Sequence, residues 1–474
     1  MREILAVLWR NKWFFLLVTL AALALRLLFV FRYPHVAGDT FVYGDIAKTW
    51  MNHGIYGVSD GATFYPTMIR MPGYPGFLAA VFAVFGQEHY TAVMVVQALL
   101  DTNTCLVIAA LALEIYGARA ARIAYVLAAL CPFTANYAGA ALAETAAIFC
   151  TAHALYYGVR GLRALTAGEP NAGCWVAAGL WTAVGIFMRP ESGLLLAALG
   201  LAVLVQLFRS QRKSSVLLAG VLLVASSLSP LVPWTVRNWR VFHVFQPLAP
   251  STATEPDEFI AYGFGHWART WVVDYVSVEE VEWPVDGEPV DFHQLPERAF
   301  DSGTEYEATE KVIAAYNQKL RVDDVLDAQF ERLARERVAH NPFRYYVWLP
   351  LVRVADMWLR PRTELLPIES RWWEFSAHSP ESTIAVALAA LNLFYLLGAL
   401  WGWLQSRLGP CGVALAGYVL LRSAFLCTLG NPEPRYVLEC FPIVLALAAC
   451  GLASFRSNRA AIPEVAPTEA RTDL

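Results

Sequence analysis

A helix needs roughly 20 apolar residues to cross a bilayer, and this chain carries about ten runs that meet or approach that length. They fall at 13–31, 90–113, 120–133, 137–159, 174–187, 193–208, 216–236, 384–404, 413–429 and 436–453. Few architectures remain open to such a chain. Backbone N–H and C=O groups in lipid must be satisfied within their own segment, so the expected fold class is an all-α polytopic membrane protein. Composition agrees, since 57% of the 474 residues are hydrophobic, more than a globular core absorbs. The runs 120–133, 174–187 and 193–208 are short. Two further apolar stretches, 77–85 and 345–359, are assigned to the membrane interface.

Charge sets the expected orientation. Arginine and lysine gather at Arg2, Arg10 and Lys12, at Arg119 and Arg122, at Arg160 and Arg163, at Arg209, Arg212 and Lys213, and at Arg407, Arg456 and Arg459. Short cytoplasmic loops are biased toward positive charge. Placing all of these inside puts both termini inside and every other polar loop outside: 32–89, the turn around Glu144, 189–191, 237–371 and 431–435. The net charge of -4 says little about partners. No feature points to nucleic acid. All eight cysteines lie in or beside apolar runs, as small buried residues, with no disulfide framework or metal knuckle implied. The first run is too long for a removable signal peptide and reads as a retained helix.

The expected organisation is a transmembrane module at 1–236 containing the first external loop 32–89, an external lobe at 237–371, C-terminal helices at 372–459 and a disordered tail at 460–474. Within the lobe, 253–301 is acidic and shows no sustained period, so it reads as irregular. From 304 to 340, Val312, Tyr316, Leu320, Phe330, Leu333 and Val338 recur at helical spacing and predict one or two amphipathic helices. An interfacial helix at 345–359 follows, with Trp348, Trp358 and the arginines Arg344, Arg353, Arg360 and Arg362 suited to the headgroup layer.

The candidate chemistry lies where the first run leaves the membrane. The loop begins Gly38-Asp39-Thr40-Phe41-Val42-Tyr43-Gly44-Asp45-Ile46-Ala47 and closes with Arg70-Met71-Pro72-Gly73-Tyr74-Pro75. On residue type alone Asp39, Asp45 and Asp60 rank equally as candidate bases. A carboxylate at a water-poor interface is expected to titrate high, which suits general base work. Tyr43 falls four residues after Asp39, on the same helical face. Glu144 is a lone acid at the outer end of an apolar run, where a charge tends to face a cavity, although an acid at a helix N-terminus is also favoured by the macrodipole. Arg70, Arg189, Arg237 and Arg435 fall at external membrane boundaries, where a guanidinium can grip phosphate oxygens or simply anchor in the headgroups. Asp101 and Arg422 lie within runs and either pair or line a cavity.

Gly-Asp with Tyr four residues on, Gly-x-Tyr-Gly at Gly54 to Gly57 and Arg-x-Pro-Gly-Tyr-Pro at Arg70 to Pro75 together resemble the first external loop of the polytopic, lipid-sugar-dependent glycosyltransferases of the C-type fold. That group includes the protein O-mannosyltransferases and the lipid A aminoarabinose transferases. The likeness covers the N-terminal half to about Arg189, with an echo at Glu433 to Tyr436. It implies that Asp39 is the catalytic residue. Glu144 stands where the family often has an Asp, as a second catalytic candidate. Tyr43, Arg70, Tyr74, Arg189, Glu191, Arg237, Arg435 and Tyr436 become expected donor contacts, and the resemblance leaves room for a divalent metal.

The expected function is therefore transfer of a sugar from a polyprenyl-phosphate donor to a hydroxyl acceptor (lipid, glycan or protein), with inversion, at the outer face of a bacterial or archaeal inner membrane. A transporter or flippase shares the hydropathy but wants ionisable groups at the midplane and broken helices. A purely structural subunit leaves the clustered acids and boundary arginines without a use.

Overall fold

The structure is a computed structural model that describes residues 10–61, 63–250, 252, 254, 258–375, 379–406 and 408–457. The expected tail at 460–474 lies outside the described residues. Among the described residues seven helices are long and apolar enough to cross a membrane: Lys12–Arg32, Tyr90–Tyr116, Pro190–Arg209, Lys213–Phe242, Ser379–Gln405, Gly409–Leu426 and Pro434–Phe455. The other three expected runs are helical too, as Ala118–Ala129, Glu144–Ala167 and Ala172–Met188. The chain is thus an all-α polytopic membrane protein with almost no strand.

Two boundaries differ from those expected, each for a local reason. The run 120–133 stops at Ala129, because Pro132 lacks an N–H and starts a new six-residue helix, Pro132–Tyr137. The run 137–159 becomes helical only at Glu144, since Ala140 instead bridges to His35 and the Ala141 N–H donates to the His35 carbonyl. Hydropathy does not see either break, because every residue concerned is apolar or small.

Asp101 and Arg422 do not pair with each other. Asp101 is bound by Arg26, whose Nε donates to Asp101 Oδ2 at 2.9 Å. Arg26 Nη1 donates to Ala129 O at 2.7 Å and Nη2 to Ala128 O at 3.1 Å, satisfying the open carbonyls at the end of the helix Ala118–Ala129. Both side chains are buried, so the pair ties three helices together and leaves neither charge bare in the apolar interior.

The loops sort into two ends. At one end Arg212 donates to the Gly168 carbonyl, and Arg163 lies 3.8 Å from Glu114. At the other, His35 N donates to Gly139 O at 2.8 Å, Arg237 to Thr67 O at 2.7 Å, and Tyr137 to Glu364 at 2.8 Å. The first loop sits at this second end. It carries a helix Asp39–His53, a short antiparallel hairpin pairing Gly57–Ser59 with Phe64–Pro66, and a helix Gly73–Phe85. At 13 residues the last helix rises about 20 Å, short of the hydrocarbon thickness, in keeping with an interfacial position.

The lobe stands over the same end. Its two amphipathic helices are Gly303–Lys319, capped by the Ser302 hydroxyl, and Asp324–His340, capped by the Asp323 carboxylate. The segment read as irregular contributes a further helix, Tyr262–Arg269, which brings Trp267 into a core with Trp271, Tyr316, Phe330 and Leu333. An eight-residue helix is too short to declare itself by periodicity. The stretch 345–359, expected at the interface, forms the helix Leu349–Leu359 after a π-helical turn at Arg344–Trp348. Its Arg353 turns inward, donating to Val272 O at 2.7 Å, while Tyr346, Trp348 and Leu351 remain exposed.

Candidate active site

Asp39 is the first residue of its helix, set by Gly38 at φ 54, a left-handed backbone that favours glycine. Thr40 Oγ1 donates to Ala141 O at 3.0 Å and pins this helix start beside Glu144. Arg70 Nη2 donates to Asp39 Oδ1 at 2.7 Å, and the Arg70 guanidinium stands 5.7 Å from the centre of the Tyr43 ring. Tyr43 in turn meets Tyr74 edge-on, with ring centres 5.0 Å apart. The expected four-residue spacing therefore does place Tyr43 and Asp39 together around Arg70.

Asp45 and Asp60 separate from Asp39 at once. Asp45 accepts from Ser59 N and Asp60 from Thr63 N, each at 2.7 Å, so both close the hairpin and neither faces the cavity. The titration of Asp39 corrects an expectation. Burial opposes its ionisation as anticipated, but Arg70, and then Arg435 and Arg189, outweigh that term and hold the carboxyl below its ordinary value. Asp39 is consequently ionised across neutral pH. The Tyr43 phenol is pushed up to about 12, by burial first and by Asp39 second, and remains a proton donor.

The second half of the site is an arginine–carboxylate lattice. Glu144, buried at the first turn of the helix Glu144–Ala167, accepts from Arg189 Nη1 at 2.6 Å and lies 3.3 Å from Arg435 Nη1. Both earlier readings of Glu144 hold together: it complements a helix N-terminus and faces a cavity. Arg189 Nε donates to Glu191 at 2.7 Å. Arg435 Nε is 2.6 Å from Glu433, which also accepts from the Tyr436 hydroxyl at 2.6 Å. The guanidiniums of Arg189 and Arg435 each stand 5.5 Å from the centre of the Tyr436 ring. Asp39, Tyr43, Arg70, Glu144, Arg189, Glu191, Arg435 and Tyr436 share one cavity of about 1180 Å³ between the membrane helices, the first loop and the lobe.

Two expected donor contacts are off its wall. Tyr74 is fully buried, donates to Gln97 Oε1 at 2.7 Å and braces Tyr43. Arg237 donates to Tyr56 O and Thr67 O, each at 2.7 Å, fastening the hairpin to the helix Leu231–Phe242. Their motif positions are structural, because carbonyls and an amide consume their polar ends.

Several participants escaped the sequence. Glu439 accepts from Arg422 Nη2 at 2.9 Å and lies 3.4 Å from Arg189 Nε, so the lattice continues into the membrane interior. A lone acid in the run 436–453 was the available signal. From the lobe, Tyr262, His266, Arg269 and Glu331 close the cavity's far side, and His266 Nδ1 lies 2.8 Å from Glu331. No sequence pattern joins them to Asp39. Among the described residues no cluster of three or more His, Cys, Asp or Glu is arranged to hold a metal ion. Asp39 and Glu144 face arginines rather than each other, so these residues do not fit a divalent metal.

Residues 70–234 match the family described as dolichyl-phosphate-mannose-protein mannosyltransferase. Among curated proteins no sequence matches the chain. Two structures of the oligosaccharyltransferase of Archaeoglobus fulgidus superpose on it. One, AglB in complex with an inhibitory peptide and a dolichol-phosphate, has TM-score 0.50 and 16% identity, covering 98% of this chain and 53% of that one. The other, tethered to an acceptor peptide, has TM-score 0.51 and 15% identity over 95% and 50%. This chain thus spans about half the length of the oligosaccharyltransferase. ArnT from Cupriavidus metallidurans bound to undecaprenyl phosphate gives TM-score 0.39 and 15% identity over 94% and 79%.

Proposed function

Taking as premise that this chain has the C-type fold of the polytopic membrane glycosyltransferases, we propose that it moves a sugar from a polyprenyl-phosphate donor to a hydroxyl acceptor. The observation that carries this reading is the juxtaposition of an ionised Asp39, paired at 2.7 Å with Arg70, and the guanidiniums of Arg189 and Arg435 in one cavity at the end of the membrane helices. The fold relative's complex with a dolichol-phosphate supports a lipid phosphate as the carrier.

In the proposed step the acceptor oxygen attacks the anomeric carbon from the side opposite the phosphate. The bond from that carbon to the phosphate oxygen breaks, and its electron pair leaves with the polyprenyl phosphate. The acceptor proton passes to Asp39. Attack opposite the leaving group inverts the anomeric centre. Phosphate is a good leaving group, so positioning and charge stabilisation carry more of the barrier than proton donation does. A base held low by Arg70 takes the proton late, once the acceptor oxygen has become acidic through bond formation. No step uses a metal.

The transporter reading wants mobile charge near the midplane, whereas two ion pairs inside these spans, Arg26 with Asp101 and Arg422 with Glu439, are locked in close contact. We place the cavity on the outer face of a bacterial or archaeal inner membrane, from the arginine bias of the opposite loops. Mass spectrometry of glycolipids and glycans from cells with and without the protein tests the function. The deletion should accumulate a polyprenyl-phosphate sugar and one glycan should lose a residue; unchanged profiles in both would reject the reading.

A further inference from the structure

Three of the four arginines lining the cavity are already matched by carboxylates. Arg70 is held by Asp39, Arg189 by Glu144 and Glu191, and Arg435 by Glu144 and Glu433. An anion entering beside them competes with a carboxylate for every guanidinium. The fourth, Arg269, is the last residue of the lobe helix Tyr262–Arg269, lines the cavity from the far side and is exposed. It forms no ion pair with any carboxylate among the described residues. Glu282, half-buried in the lobe within its field, is not at ion-pair distance, and desolvation pushes that carboxyl up to about 7, which weakens it as a counter-charge.

A second observation concerns the turn that Arg269 crosses. A Cβ on Gly430 would stand 2.8 Å from Arg269 Nε and 2.9 Å from its Cγ, so only a glycine lets the arginine lie in this course. Thr428 and Leu429 of the same turn line the cavity. The guanidinium is thus laid along the wall by backbone that the membrane helices supply, although the residue belongs to the lobe.

We infer that Arg269 is an anion-binding residue of the cavity, taking either the phosphate of the lipid-linked donor or an anionic group on the acceptor. The inference rests on the transferase reading for the identity of the ligand, and on the charge pattern alone for the existence of the subsite. In either case the lobe closes the site electrostatically. Without Arg269 the lining arginines are outnumbered by the carboxylates that face them.

The test uses the full chain in detergent, with Arg269→Gln and Gly430→Ala each shown by thermal melt to be folded. The probes are a polyprenyl phosphate, the corresponding polyprenol and inorganic phosphate. If the donor phosphate is the ligand, Arg269→Gln binds the polyprenyl phosphate about tenfold more weakly, as expected for a lost charge-assisted hydrogen bond, with polyprenol binding unchanged. Gly430→Ala, which keeps the charge but displaces it, moves in the same direction. If the acceptor carries the anion, polyprenyl-phosphate binding is preserved, but the thermal protection that inorganic phosphate gives the lipid-saturated parent is lost in Arg269→Gln. Variants that match the parent with all three probes overturn the inference. A parent that binds polyprenol and its phosphate equally would count against the donor reading instead, and the inorganic-phosphate comparison would still decide Arg269.

Discussion

Asp39 and Asp45 differ by six positions and by everything around them. One carboxylate faces a cavity beside Arg70, while the other accepts a backbone N–H in the hairpin. Asp39→Asn keeps the shape but removes the proton acceptor, so transfer at saturating donor should fall about 10²- to 10⁴-fold, with the melt unchanged. Asp45→Asn keeps an acceptor oxygen for Ser59 and should stay within a fewfold of the parent. An Asp39→Asn enzyme of near-parental rate would reject the assigned base and leave Glu144 as the next candidate. The same pair fixes the pH profile. A rate that needs ionised Asp39 is lost as pH falls through its pKa, and Arg70 holds that value below the ordinary carboxylate range of about 3.9. In Arg70→Gln burial, which opposes ionisation, loses its main opponent, so the acid limb of kcat should move to higher pH. An unmoved limb would show that another group controls it.

At the scale of elements, the site exists because two helix ends are brought together. A Cβ on Gly73 would stand 2.5 Å from Phe187 C and O and 2.9 Å from Met188 N, which are backbone atoms that have no room to yield. This glycine lets the start of the helix Gly73–Phe85 sit against the end of the helix Ala172–Met188, whose flanking residues Arg70 and Arg189 line the same cavity. Gly73→Ala should cost roughly 1–3 kcal/mol by overpacking and depress transfer further than the melt alone explains. Gly76→Ala, whose Cβ would meet only the Trp50 ring at 3.6 Å, is the control and should be nearly silent. Equal behaviour of the two alanine variants would remove the close approach from the account. It also gives the Arg-x-Pro-Gly-Tyr-Pro motif a physical reading: Arg70 faces the cavity, Gly73 permits contact, and Tyr74 braces Tyr43.

For the whole molecule, the lobe and the cavity share one end, and the loop joining the helices Leu194–Arg209 and Lys213–Leu228 lies at the other. Cysteine placed at the exposed positions Glu310 and Gln211 tests the orientation in intact cells with an impermeant maleimide. Background is low because the natural cysteines are buried, apart from a half-buried Cys427. Labelling of Glu310→Cys alone is expected. Labelling of Gln211→Cys alone would invert the topology and move the chemistry to the cytoplasmic face.

The apolar runs alone determined the fold class, since in lipid a long apolar segment has almost no alternative to a helix. Each of the ten expected runs contains a helix, and the arginines at one set of loops anticipated a two-ended molecule. The local spacing of Asp39 and Tyr43 was legible for the same reason, that a helix repeats within four residues. Contacts between distant segments were not. Nothing in a linear pattern says that Arg26 answers Asp101, that Arg422 and Glu439 extend the lattice, or that Arg237 and Tyr74 spend their polar groups on carbonyls and an amide. The pKa of Asp39 reversed for this cause: burial can be read from position in the chain, but Arg70 lies 31 residues away and reaches the carboxylate only through the folded loop. Tertiary structure decided which charges meet, because ion pairing acts across a few ångströms of space and is indifferent to distance along the chain.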